Sequence, residues 1–124
     1  MCNPKIPNYK AKVAIVWIVC TRNNTILTLT NLEGSTLAWS SGGTCGFKNS
    51  RKSTTHAAEM AAIDLSEKIY ACGYNAISVK MKGLGGAKQK AVSALSRCGL
   101  LLEKIEEFSG IPFNGCRPKR KRRL

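Results

Sequence analysis

One histidine and one aspartate in 124 residues leave this chain little material for acid–base chemistry. With His56 alone, no His-paired acid and base can form, and no Cys or Ser stands beside it at a nucleophile's spacing. His56 therefore reads as a surface residue at a helix start. Asp64 stands with Glu67 and Lys68 on a helical pattern, a solvated face with local ion pairing. A two-metal nuclease needs several converging carboxylates, which one Asp and six scattered Glu do not supply. The six cysteines, at 2, 20, 45, 72, 98 and 116, contain no C-x-x-C pair and have no histidine at ligand spacing. We therefore expect no catalysis, no metal site, no cofactor and no small-molecule substrate.

Long hydrophobic runs are missing too. Val13–Cys20, the longest, is strand-length, far below the roughly 18 residues that span a bilayer. Residues 1–12 hold two prolines and no apolar core, so they do not read as a secretory signal. No membrane partner is expected. Six cysteines in a chain with 44% hydrophobic residues fall short of a disulfide scaffold, and four lie in or beside apolar segments. They read as reduced, small buried hydrophobes.

Negative charge is scarce, and that scarcity points to a partner. Twenty Lys and Arg face seven Asp and Glu, a net charge of +13. A field of this size is normally offset by an acidic surface, a lipid headgroup layer or nucleic acid, and the basic tail offers no apolar face for a membrane beyond Leu124. Six of the cations crowd into the last residues, at Arg117 and Lys119 to Arg123, behind an Asn114-Gly115 turn. Such a tail cannot pack a core; it either binds phosphates by displacing their counterions or stands as a solvated tail or a nuclear address.

The pattern predicts one α/β domain. Val13–Cys20 is an unbroken β-branched and aromatic run, expected for a strand covered on both faces by helices. Arg22-Asn23-Asn24 turns the chain into a second strand over 25–30, and a third follows over 35–41. Residues 42–53 form a glycine-rich loop carrying Lys48, Arg51 and Lys52. A helix is predicted over 54–72 with Gly73 as its stop, a strand over 77–82, a helix over 87–98 stopped by Gly99, and a weaker strand over 100–107. The expected fold is a mixed five-stranded sheet with flanking helices, in three parts: a basic arm, 1–12; a single α/β body, 13–108, itself basic; and a basic tail, 109–124.

The turn Lys82-Gly83-Leu84-Gly85-Gly86 into the helix bearing Lys88 and Lys90 is a candidate anion site, with exposed N–H groups and a helix N-terminus. It is not a nucleotide loop: no Gly-Lys-Ser/Thr is present, and Lys88 stands where a dinucleotide fingerprint needs its third glycine. An ordinary strand-to-helix turn is the alternative. Asn23 and Asn24 suit either a hairpin turn or a sugar-phosphate contact beside Arg22. Trp39, Phe47 and Phe113 are aromatic, and burial is the commoner fate of such rings than stacking on bases.

Together Arg22-Asn23-Asn24-Thr25, Trp39 to Gly43 with Gly46-Phe47-Lys48, Arg51 to Thr54, Lys82-Gly83, and Ile111-Pro112 with Asn114 to Pro118 resemble the small-subunit ribosomal protein eleven family, of bacterial and organellar type. The resemblance runs from about residue 13 to 124. It implies a ribonuclease-H-like motif without catalytic carboxylates, bound to small-subunit rRNA in the platform near the mRNA exit path. The implied neighbours are platform proteins of the six, eighteen and seven types. It also carries RNA contact onto Asn23, Asn24, Lys48, Arg51, Lys52, Lys82, Asn114, Arg117 and Lys119, Arg120, Lys121, Arg122 and Arg123. Gly83, Gly85, Lys88, Lys90, Gly115 and Arg22 complete the candidate set from the residues themselves. Where the family usually carries Gly-Pro-Gly-x-Gly-Arg, this chain has Gly83 to Lys88, trading a planar guanidinium for a point charge. That drift and the extra cysteines point to an organellar ribosome, mitochondrial first, with plastid and bacterial cytoplasm as alternatives. The rival outside the ribosome is a general RNA- or DNA-coating protein.

Overall fold

The computed structural model describes residues 12–124; the basic arm expected over 1–12 lies outside them apart from Lys12, as does Cys2. The elements run β1 (Val13–Cys20), β2 (Thr25–Thr30), β3 (Thr36–Ser41), a short 3-10 turn (Asn49–Ser53), α1 (Thr55–Ala71), β4 (Ala76–Gly83), α2 (Ala87–Arg97) and β5 (Leu101–Glu107). The strands form one mixed sheet in the order β3-β2-β1-β4-β5. β2 is antiparallel to both of its neighbours, while β1, β4 and β5 pair in parallel. It follows that β1, β3, β4 and β5 all point the same way, and only β2 runs back.

The helix ends follow from local chemistry. The Thr54 hydroxyl accepts from the Ala57 amide at 3.2 Å and caps α1. Gly73 and Gly99 take φ of +82° and +87° just beyond α1 and α2, the left-handed stop that glycine adopts without a Cβ clash. Ala57, Ala58, Ala61 and Ala62 on α1 are fully buried, and their small side chains let the helix lie close to the sheet. Leu65 and Ile69 extend the same stripe, each contributing roughly 1.5–3 kcal/mol by burial.

Both helices lie on one face. Each connects parallel strands, β3 to β4 and β4 to β5, and the two crossovers move in the same direction across the sheet. The right-handed rule then puts both on one side, and α1 and α2 pack against each other there. This departs from the expectation for β1. Ala14, Val16, Ile18 and Cys20 are buried beneath the helices, while Val13, Ile15, Trp17 and Val19 on the other face are only half-covered. The glycine-rich loop over 42–53 also holds the 3-10 turn Asn49–Ser53. Cys20 is buried and Cys45 and Cys98 half-buried, but Cys72, at the α1 C-cap, is exposed, unlike the expected packed thiol. Burial pushes the Cys20 thiol up, so it stays protonated and acts as a small hydrophobe.

Candidate nucleic-acid interface

Because four strands share one direction, the segments leaving their C-terminal ends meet at one end of the sheet. Those segments are the Arg22–Asn24 turn after β1, the glycine-rich loop after β3, the Gly83–Gly86 turn after β4 and the tail after β5. Every candidate residue of the described chain but Lys90, one turn into α2, lies in one of these segments or at its edge. Glu33, in the turn after β2, falls at the opposite end.

Hydrogen bonds tie the segments together. The Gly42 amide donates to the Thr25 carbonyl at 3.2 Å, bringing the β3 loop to the first turn. A Cβ on Gly42 would lie 3.0 Å from Asn24 Oδ1 and 3.3 Å from the Lys52 carbonyl, so Asn24 and Lys52 converge on it. The Gly83 amide reaches Ser109 Oγ at 3.4 Å, fixing the root of the tail beside the β4 turn. Phe108 N–H donates to the Met81 carbonyl at 2.7 Å and extends the β5 pairing to that root.

Two concavities open here. A cleft of about 630 Å³ lies between the ends of β1 and β4 and the starts of the helices, lined by Thr21, Arg22, Ser53, Thr55 and residues 83–87. A second, half-open and about 500 Å³, is lined by residues 45–51, including Lys48 and Arg51. No Asp or Glu lines either one. Gly86 and Ala87 line the first cleft, and Gly86, as the cap of α2, has no side chain to accept from the first amides of that helix.

The candidates divide by what they touch. Arg22, Asn23, Lys48, Arg51, Lys82, Gly85 and Lys90 are exposed, and Lys52 is half-buried. The tail residues Asn114, Gly115, Arg117 and 119–123 are exposed as well, with Asn114 held left-handed at φ +57° to turn the chain. Asn24 has a structural bond: its Oδ1 accepts from the Thr25 amide at 2.9 Å. Lys88 turns inward, bonding the Gly83 carbonyl at 3.0 Å and pairing with Glu107, whose carboxyl it holds below the usual range. Gly83 is required by close approach, since a Cβ there would meet the Cys20 carbonyl. Phe47 packs edge-on against His56 at 5.6 Å, whereas Phe113 is open to solvent.

Sequence reasoning missed Thr21, Ser53 and Thr55 on the cleft wall. Each lies next to a predicted turn or helix start, and only the parallel strand directions bring them together. The sequence pattern places Asp64 on a solvated helix face with local ion pairing. Asp64 does pair with Lys68 at 2.8 Å, but the same oxygen accepts from the buried Ser40 hydroxyl at 2.8 Å, while Lys68 also reaches the Trp39 carbonyl at 3.0 Å. These bonds anchor α1 to β3 below the glycine-rich loop. Lys68 first and Ser40 second hold the Asp64 carboxyl below its usual range. Among the described residues no three His, Cys, Asp or Glu side chains converge as metal ligands, and no helix is long and apolar enough to cross a membrane.

Fold and charge placement define a cationic α/β protein with its basic loops gathered at one end. The family model for ribosomal protein S11 matches residues 14–123. Small ribosomal subunit protein uS11m of Prototheca wickerhamii is 50% identical over 113 residues, covering 91% of this chain and 88% of that protein. The uS11 of Thermotoga maritima is 44% identical over 110 residues (89% and 85%), and the uS11c of Pleurastrum terricola 43% over 121 (98% and 94%). This chain belongs to the ribosomal protein S11 family. Its role is structural and non-enzymatic, in the small ribosomal subunit.

Proposed function

We propose that this chain binds small-subunit rRNA in the platform, near the path by which mRNA leaves, and supports translation and subunit assembly there. The observation that carries the reading is the convergence of four cationic segments at one end of the sheet, around two clefts without an acidic group. Arg22, Asn23, Lys48, Arg51, Lys52, Lys82, Lys90, Arg117 and Lys119 to Arg123 contact phosphates and sugars. Gly83, Gly85, Asn114 and Gly115 shape the backbone, and Asn24 and Lys88 position the loops from within. The arm 1–12 and the tail 109–124 extend the contact made by the body, 13–108. Platform proteins of the six, eighteen and seven types are the neighbours. The ribosome is mitochondrial, a reading supported by the 50% identity to the uS11m protein against 43–44% for the plastid-type and bacterial relatives named above.

The test is sedimentation with small ribosomal subunits through high salt, joined to a comparison of one rRNA junction with duplex DNA. Co-sedimentation and a large preference for the rRNA are expected. Equal affinity for duplex DNA and unrelated RNA would instead support a general coating protein.

A further inference from the structure

The sheet face without helices carries a rung of side chains whose chemistry the basic loops do not use. The pairing register sets Trp39 opposite Thr28, Thr28 opposite Trp17, Trp17 opposite Lys80 and Lys80 opposite Glu106, one residue from each strand. Side chains alternate along a strand. Since Val16, Ile18, Leu27, Leu29 and Val79 are buried beneath the helices, this rung lies on the open side. Trp39 is 54% exposed there. Lys80 Nζ sits 5.1 Å from the ring centroids of both Trp17 and Phe108, which tilt against each other at 5.8 Å.

We infer that this face is a stacking platform for unpaired RNA bases, with Trp39 receiving one base, the Trp17–Lys80–Phe108 group a second, and Lys80 and Lys82 meeting phosphates. The inference rests on the RNA-binding reading above and extends it to a second surface. Strand spacing puts the Trp39 and Trp17 backbones about 10 Å apart, room for two splayed bases. Three observations favour RNA over a protein as the occupant. Neither Lys80 nor Lys82 forms an ion pair among the described residues, and the one acid in the rung, Glu106, is paired with Lys104. An aromatic face beside lysines that have no carboxylate partner is the chemistry that holds single-stranded RNA in sheet-based modules. The face is also continuous with the cationic end: the next rung carries Val19 and Lys82, and the strand ends Cys20 and Gly83 then form the cleft lip.

The chain's only two tryptophans, Trp17 and Trp39, both lie on this face, so tryptophan emission, excited selectively over tyrosine, reports on it alone. Full-length protein is titrated with oligouridylate as wild type, Trp39→Leu, Trp39→Phe and Lys80→Gln, with thermal melts to check folding. Wild-type emission is quenched as the RNA binds. Trp39→Leu weakens oligouridylate binding about tenfold, and Trp39→Phe restores it. Lys80→Gln, which leaves both indoles in place, lowers the single-strand salt slope by about 0.7. Intact rRNA binding with unchanged emission and an unaffected Trp39→Leu variant overturns this inference alone. So does a Trp39→Leu variant that binds all RNA normally but fails to retain a neighbouring protein in reconstituted subunits, which would make the face a protein dock. Failure of wild-type protein to bind any RNA overturns the ribosomal-RNA reading and this one with it.

Discussion

Gly83 lies so close to Cys20 that a Cβ on it would stand 1.9 Å from the Cys20 carbonyl oxygen. The two residues are register partners at the last rung of the parallel pair β1 and β4, where the strands open into the cleft. Gly83 also takes φ +111°, a conformation that L side chains rarely adopt. Gly83→Ala must therefore part the strand ends or twist the turn, at a cost of at least about 2–3 kcal/mol. A chemical-denaturation midpoint checks it. Gly85→Ala, with the same sign of φ but nothing within 4 Å of its Cβ, carries strain without collision and costs less.

The Asp64 clamp predicts an acid limit. Its carboxyl titrates below the ordinary value of 3.8 in the folded chain, so it binds its proton more weakly there than in the unfolded chain. The resulting stability is complete above that ordinary value and is lost as pH falls through the depressed one. The melting-temperature gap between wild type and Asp64→Asn should be constant at neutral pH and close on acidification below about pH 4. A gap that widens with acid would contradict the clamp. Ser40→Ala should reproduce part of the neutral-pH loss, because the same carboxylate oxygen then lacks its hydroxyl donor.

Two lysines of the β4 turn are expected to behave differently, because Lys82 is exposed and Lys88 is held by Gly83 and Glu107. Lys82→Gln should reduce the salt slope of duplex-rRNA binding by about 0.9 with little change in melting temperature. Lys88→Gln should leave that slope in place while lowering the melting temperature, since it frees the β4 turn from β5.

Local pattern made most of the fold legible. The strand over 13–20, and Gly73 and Gly99 as helix stops, are each set by residues within one turn of the feature they determine. The apolar run of β1 misled on one point: its β-branched residues and tryptophan fit a doubly covered strand equally well. Which face stays open depends on crossover direction across the sheet, not on β1 itself. The candidate cations were visible as charge clusters, but the inward roles of Lys88 and Asp64 were not. Their partners Glu107 and Ser40 are 19 and 24 residues away, beyond the reach of helical or strand periodicity. Thr21, Ser53 and Thr55 were hidden for the same reason.

The central claim, that the gathered basic segments bind small-subunit rRNA and that the tail supplies much of the affinity, is tested most directly by the salt dependence of that binding. The full chain is compared with one ending at residue 116, which lacks Arg117 and the five cations at 119–123. If each lost phosphate contact removes about 0.9 from the slope of log affinity against log salt, the truncated chain should bind more weakly, with a slope shallower by up to about 5. Equal affinity and an equal slope for the two chains would contradict the account.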